Sequence, residues 1–138
     1  MEFQLNFPIR RRFETTDVGI SIPCSLKRNG ITVDFKAKLD LGSEYCLFRR
    51  EVAEELNIEV EDGLPVRLGT LAGTLTGFAH TVIINTFELE FESTVLFNSA
   101  YGTNRDILGR IGWFNNLHFG LTMDDEMIYL GPAYSSTL

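Results

Sequence analysis

Two alternating apolar runs on either side of an Asn-Gly pair constrain this chain more than anything else in it. From Ile20 to Leu26 the apolar residues fall on even positions (Ile20, Ile22, Cys24, Leu26), and from Val33 to Leu39 on odd ones (Val33, Phe35, Ala37, Leu39). That is the two-residue period of a half-buried strand. Between them stands Asn29-Gly30, the dipeptide best suited to a type I′ turn, which needs positive φ at both central positions. Pairing Arg28 with Ile31 sets Leu26 against Val33, Cys24 against Phe35, Ile22 against Ala37 and Ile20 against Leu39. A slip of one residue would turn every one of these side chains to the wrong face. The hairpin ends on Asp40, directly after Leu39, so a rigid element fixes that carboxylate, as a reactive site requires.

The rest of the chain reads mostly as further strands. Gly42 follows Asp40 and permits a turn that a side chain would resist. The stretch "CLFRREVAEELNI" predicts a short amphipathic helix, with Val52 and Leu56 four apart. After "EDGLP", the segment "RLGTLAGTLTGF" with Gly69, Gly73 and Gly77 predicts a long, mobile hairpin. In "AHTVIINTFELEFESTVLF", Phe87, Leu89 and Phe91 alternate with Glu88, Glu90 and Glu92, which is strand material. A loop, "SAYGTNRD", leads to "ILGRIGWFNNL" with a helical turn, and "LHFGLTMDDEMIYL" predicts two strands around an acidic turn at Asp124, Asp125 and Glu126. Asp17-Val18-Gly19 reads as the turn before the first hairpin strand. The expected fold class is mainly β with one or two short helices. A chain of 138 residues, 44% hydrophobic with eleven Phe, can fill one core. One domain over 1–138 is expected, its core at about 20–131, with 1–18 as an N-terminal segment.

Charge and composition exclude several functions. Net charge is -7, whereas phosphate backbones are bound by clustered Lys and Arg that release counterions; no nucleic-acid partner is expected. Arg10, Arg11 and Arg12 are the one basic run, read as a solvated N-terminal segment or, alternatively, an anion contact. Cys24 and Cys46 have no zinc-type spacing with His80 and His118, so buried thiols and structural histidines are expected, with no metal and no cofactor. Trp113 is expected in the core or at a subunit interface. Neither a membrane-length apolar run nor a secretory leader is visible, and the expectation is a soluble, cytoplasmic protein with no membrane partner.

Two stretches carry a resemblance. "KLDLGSEYCLFRREVAEELNI" resembles the Asp-Thr/Ser-Gly-Ala/Ser loop of the retropepsin-like (retroviral-type) single-domain aspartic peptidases together with its following segment, and "DILGRIGWFNNLHFGLTMDDEMIYL" resembles their Leu-Gly-Arg motif and closing strands. With the glycine hairpin between, the likeness spans Ser21 to Leu130 and is nearest the small bacterial aspartyl-protease-like branch. It implies a closed, barrel-like acid-protease fold. It also implies roles: Asp40 as the catalytic carboxylate, Leu41, Gly42 and Ser43 as its supporting loop with the Ser43 hydroxyl on the Asp40 carboxylate, and Leu71, Ala72, Gly73 and Thr74 as a flap over the substrate. Ile107, Leu108, Gly109 and Arg110 become the second motif, with Arg110 paired to an acidic group near the Asp40 loop. Leu41 departs from the pattern: the family's Thr or Ser there reaches across a dimer with its hydroxyl, and Leu41 has none.

Peptide hydrolysis without a metal or a covalent intermediate needs one group to take a proton from water and another to protonate the leaving nitrogen. Two carboxylates about 3 Å apart do both, because they cannot easily ionise together and share one proton. This chain supplies one such Asp and has no room for two lobes, so a homodimer with Asp40 near its own copy is expected. A homodimeric endopeptidase acting on peptide or protein is one reading. A non-catalytic dimerisation or peptide-binding module on the same fold is the other, and an ordinary turn-capping role for Asp40 goes with it.

Overall fold

A computed structural model describes residues 1–16 and 19–133; Asp17 and Val18 of the expected first turn lie outside the described residues. Among the described residues strand accounts for 57% and a single short α-helix is present, so the mainly β expectation holds. The elements are strands β1 (Ile9–Arg12), β2 (Glu14–Thr16), β3 (Gly19–Arg28), β4 (Ile31–Leu39) and β5 (Leu47–Phe48), helix α1 (Arg50–Glu55), then β6 (Leu64–Thr70), β7 (Gly73–Thr86), β8 (Leu89–Asn98), β9 (Ile107–Leu108), β10 (Leu117–Thr122) and β11 (Met127–Pro132). Short 3-10 turns stand at Val60–Asp62 and Phe114–Asn116.

The β3–β4 hairpin has the register that the sequence demands, from Arg28↔Ile31 through Leu26↔Val33 and Cys24↔Phe35 to Ile22↔Ala37 and Ser21↔Lys38. Asn29 and Gly30 adopt φ of 56° and 74°, which is the I′ geometry. Ile22, Cys24, Leu26 and Ala37 are buried, while Thr32, Asp34 and Lys36 face out.

From this hairpin a ring of six strands closes through backbone hydrogen bonds. β4 runs parallel to β9, β9 pairs antiparallel with β5, and β5 runs parallel to β8. β8 pairs with β7, and β7 returns to β3 at Leu26↔Ile84. Phe48 lies at the centre, with Phe35 and Phe97 at 5.4 and 6.1 Å between ring centroids. The two-residue strands β5 and β9 are the short sides of this ring, and they bring the chain after Asp40 and the chain around Gly109 side by side.

Two expectations change. The core begins before residue 20: residues 1–6 are exposed, but β1 pairs with β11 in a three-stranded sheet, and Phe13 is in the core. The arginine run stays at the surface as expected, with Arg10 and Arg12 exposed, and within it Arg11 meets Glu88 at 2.5 Å and Arg12 the Asp125 carbonyl at 3.2 Å. Phe87 and Glu88, which the alternation counts as strand, instead form the turn between β7 and β8, where φ is 48° and 69°. Neither residue favours the left-handed region, so the sequence carried no turn signal there; Phe87 packs against the core and Glu88 holds Arg11.

The two tight turns respond oppositely to substitution. Gly30→Ala is expected to destabilise by about 1 kcal/mol, and Glu88→Asn to stabilise by about 0.5 kcal/mol because Asn tolerates positive φ. Urea unfolding midpoints of the two variants check both signs.

Candidate functional site

Asp40 emerges from the end of β4 already fixed. Lys38 N–H donates to the Asp106 carbonyl at 2.8 Å and Asp40 N–H to the Leu108 carbonyl at 3.0 Å, continuing the β4–β9 pairing. The chain then turns: Ser43 N–H donates to the Asp40 carbonyl at 3.1 Å, and Gly42 N–H donates to Asp40 Oδ1 at 2.9 Å. The carboxylate is thus oriented by its own loop and remains half-buried.

The loop after Asp40 and the segment after β9 are stitched together by backbone. Arg110 N–H donates to the Ser43 carbonyl (3.0 Å), Ile111 N–H to the Glu44 carbonyl (2.7 Å), and Cys46 N–H to the Ile111 carbonyl (3.3 Å). Gly109 makes this approach possible. A Cβ there would stand 2.2 Å from the Tyr45 carbonyl oxygen and 3.0 Å from that of Ser43, so no side chain fits without parting the loops. Cys46 Sγ lies beneath the junction, 3.3 Å from Gly109 N.

The structure therefore brings Asp40, Leu41, Gly42 and Ser43 together with Ile107, Leu108, Gly109 and Arg110. Leu71, Ala72, Gly73 and Thr74 form the tip of the β6–β7 hairpin, with Thr70↔Gly73 as the last pair. The tip is braced by its own bonds, Thr70 Oγ1 to the Gly73 carbonyl at 2.8 Å and Ala72 N–H to Thr70 Oγ1 at 3.2 Å. Leu71 is fully exposed, and no hydrogen bond of the tip reaches the Asp40 loop among the described residues. Two surface depressions, one lined by Ser25, Lys27 and Glu90 and one by Arg12, Phe13 and Lys36, contain none of these residues. The residue after Asp40, Leu41, is 61% exposed, and Ile111, whose amide meets the Glu44 carbonyl in the joined loops, is 43% exposed.

Several assigned roles need correction. The Ser43 hydroxyl donates to the Tyr45 carbonyl at 2.7 Å instead of to the Asp40 carboxylate; the carboxylate's donor is the Gly42 amide. Gly42 is not in a positive-φ conformation; what favours glycine is that a Cβ would come within 3.1 Å of Asp40 Oδ1. Arg110 directs Nε toward the Ser43 carbonyl at 3.5 Å, not toward a carboxylate. The buried acid that takes an arginine is Asp106, the last residue of the "SAYGTNRD" loop: Arg49 Nε reaches Oδ2 at 2.8 Å and Arg49 N–H reaches Oδ1 at 2.9 Å. Its position immediately before the second motif was the only signal.

His80 and Trp113 both have structural partners. His80 is buried with Nε2 2.8 Å from the Val60 carbonyl; a carbonyl only accepts, so that nitrogen carries the proton. Trp113 is in the core, its Nε1 donating to Thr86 Oγ1 at 3.1 Å. Among the described residues no group of three or more His, Cys, Asp or Glu is placed to hold a metal ion, and no helix is long and apolar enough to cross a membrane. No protein-family model matches the chain and no curated protein does.

Both cysteines are buried free thiols, and burial pushes the Cys46 thiol up to about 12 and raises Cys24 as well. A thiol raised on folding favours the folded state while it stays protonated. That contribution is complete below the ordinary value of 9.0 and is lost as pH climbs from there towards about 12. Ellman's reagent at pH 8 is expected to leave both thiols unreacted in the folded protein and to titrate both in denaturant. Gly109→Ala is expected to cost at least about 2 kcal/mol in urea unfolding, because backbone has to move.

Proposed function

We propose that this chain is a homodimeric aspartic endopeptidase of the retropepsin-like type, on a closed acid-protease barrel, in which Asp40 of two copies shares one proton. The observation that carries the proposal is the seating of Asp40. Its carboxylate is oriented by the Gly42 amide, its backbone is locked to Leu108, and it stands half-buried directly before the exposed Leu41. A single carboxylate so placed lacks its acid partner, and a twofold axis beside it supplies an identical one. The ionised member takes a proton from water while the neutral member protonates the leaving nitrogen, so the pair titrates as a unit.

Substrate enters as an extended strand, its backbone taken up by hydrogen bonds and its alternate side chains by pockets. The β6–β7 hairpin, with Leu71 to Thr74 at its tip, serves as the covering flap. Leu41 contributes apolar contact across the axis in place of a hydroxyl bond; its exposure is what such a contact would bury.

A specific observation favours the second reading. Leu41 has no hydroxyl and the Ser43 hydroxyl is spent on Tyr45, so no loop hydroxyl donates to the Asp40 carboxylate. A non-catalytic dimerisation or peptide-binding module would keep the fold with that arrangement.

Cleavage of a mixed peptide library from about pH 4 to 7 by wild type and Asp40→Asn separates the two, with turnover expected to fall on the order of a thousand-fold in the variant. Sedimentation of both proteins is expected to give twice the 15.6 kDa chain mass. Equal cleavage by Asp40→Asn, or a monomer at working concentration, would refute the peptidase.

A further inference from the structure

We infer that Asp106 is a positioning residue for Asp40, a second carboxylate that sets the catalytic loop without touching substrate; the inference rests on Asp40 being the reacting group. β9 is only two residues long, yet besides the pairing of β4 with β3 two backbone bonds at the end of β4, Lys38 to Asp106 and Asp40 to Leu108, land on it or on the residue before it. So short a strand defines its own register weakly, and a one-residue slip would turn it over.

The Asp106 side chain supplies what the strand lacks. It is 7% exposed and takes two donors from Arg49, the amide at 2.9 Å and Nε at 2.8 Å. Arg49 directly follows β5 and precedes α1, and β5 is the other neighbour of β9 through Leu47↔Ile107. Asp106 therefore closes the corner between β5 and β9 with its side chain while its carbonyl holds Lys38, two residues before Asp40. A buried carboxylate with both oxygens engaged by charge-assisted donors is a stiff link, and removing one partner leaves the other exposed to the full cost of desolvation. Position at Asp40 is thus coupled to a pair whose guanidinium lies on the opposite side of β9.

The alternative is that burial of Leu108 and the tight seating of Gly109 hold β9 unaided. Amide hydrogen exchange on the full chain distinguishes the two, with Asp106→Asn and Arg49→Gln as variants and Trp113 fluorescence as the check on the core. Exchange at the Lys38 and Asp40 amides is expected to quicken on the order of ten-fold in both variants, while the amides around the Asn29-Gly30 turn stay unchanged. In the peptidase assay kcat is expected to fall by a similar factor with KM kept. Exchange at Lys38 and Asp40 within two-fold of wild type, in a variant that is folded, would overturn the inference. Should Asp106→Asn fail to fold, Arg49→Gln decides by the same amides. A wild type that cleaves nothing defeats the peptidase while the exchange result alone still decides the positioning role.

Discussion

Everything at the candidate site depends on one constraint: two chain segments approach so closely that their backbones bond directly, with a glycine at the crossing. Between Lys38 and Cys46 on one side and Asp106 and Ile111 on the other, the main chain itself makes the joint. Gly109 leaves room for it, and Cys46 fills the space beneath. Main-chain bonds in a half-buried joint are short, directional and costly to leave unmade, so the position of Asp40 is set first by the path of the main chain. The six-strand ring and the aromatic centre around Phe48 surround those two segments, and the role inferred for the tie between Arg49 and Asp106 is to keep them in register.

The parts legible in the sequence were those whose determinants are local. Alternation and the Asn-Gly pair specify the β3–β4 hairpin residue by residue, because turn type and register are both short-range properties. The helix at Arg50–Glu55 and the strands around the acidic turn were visible for the same reason. What stayed hidden was set by distant partners. Phe87 and Glu88 turn the chain against their own preference because Phe87 packs on the core and Glu88 meets Arg11 from the far end of the chain. The pairing of the N-terminal segment was hidden for the same reason, since β1 finds its place only against β11, from the far end of the chain.

The same division runs through the site. The placing of Asp40 at a strand end was evident, but the tasks of its neighbours were not. Ser43 and Arg110 both carry side chains that could serve a carboxylate, and both turn to carbonyl oxygens instead. A residue's chemistry shows what it can bond, and only the path of the surrounding chain shows what lies within reach. Asp106 illustrates the converse: an acid in a polar loop looks solvated until the fold buries it beneath Arg49. On the proposed function, the exposed Leu41 makes the joint between two copies apolar where a hydroxyl would make it directional. Apolar contact tolerates small displacements, whereas a reacting pair of carboxylates does not. That difference is where the catalytic and non-catalytic readings part.

The central claim is that an identical carboxylate completes the site, and the distance between the two copies of Asp40 in the assembled protein tests it most directly. A crystal structure of the oligomer is predicted to place the two carboxylates across a twofold axis within hydrogen-bonding distance, about 3 Å. An assembly that holds them more than about 6 Å apart, beyond the reach of one shared proton or a single bridging water, would contradict the account.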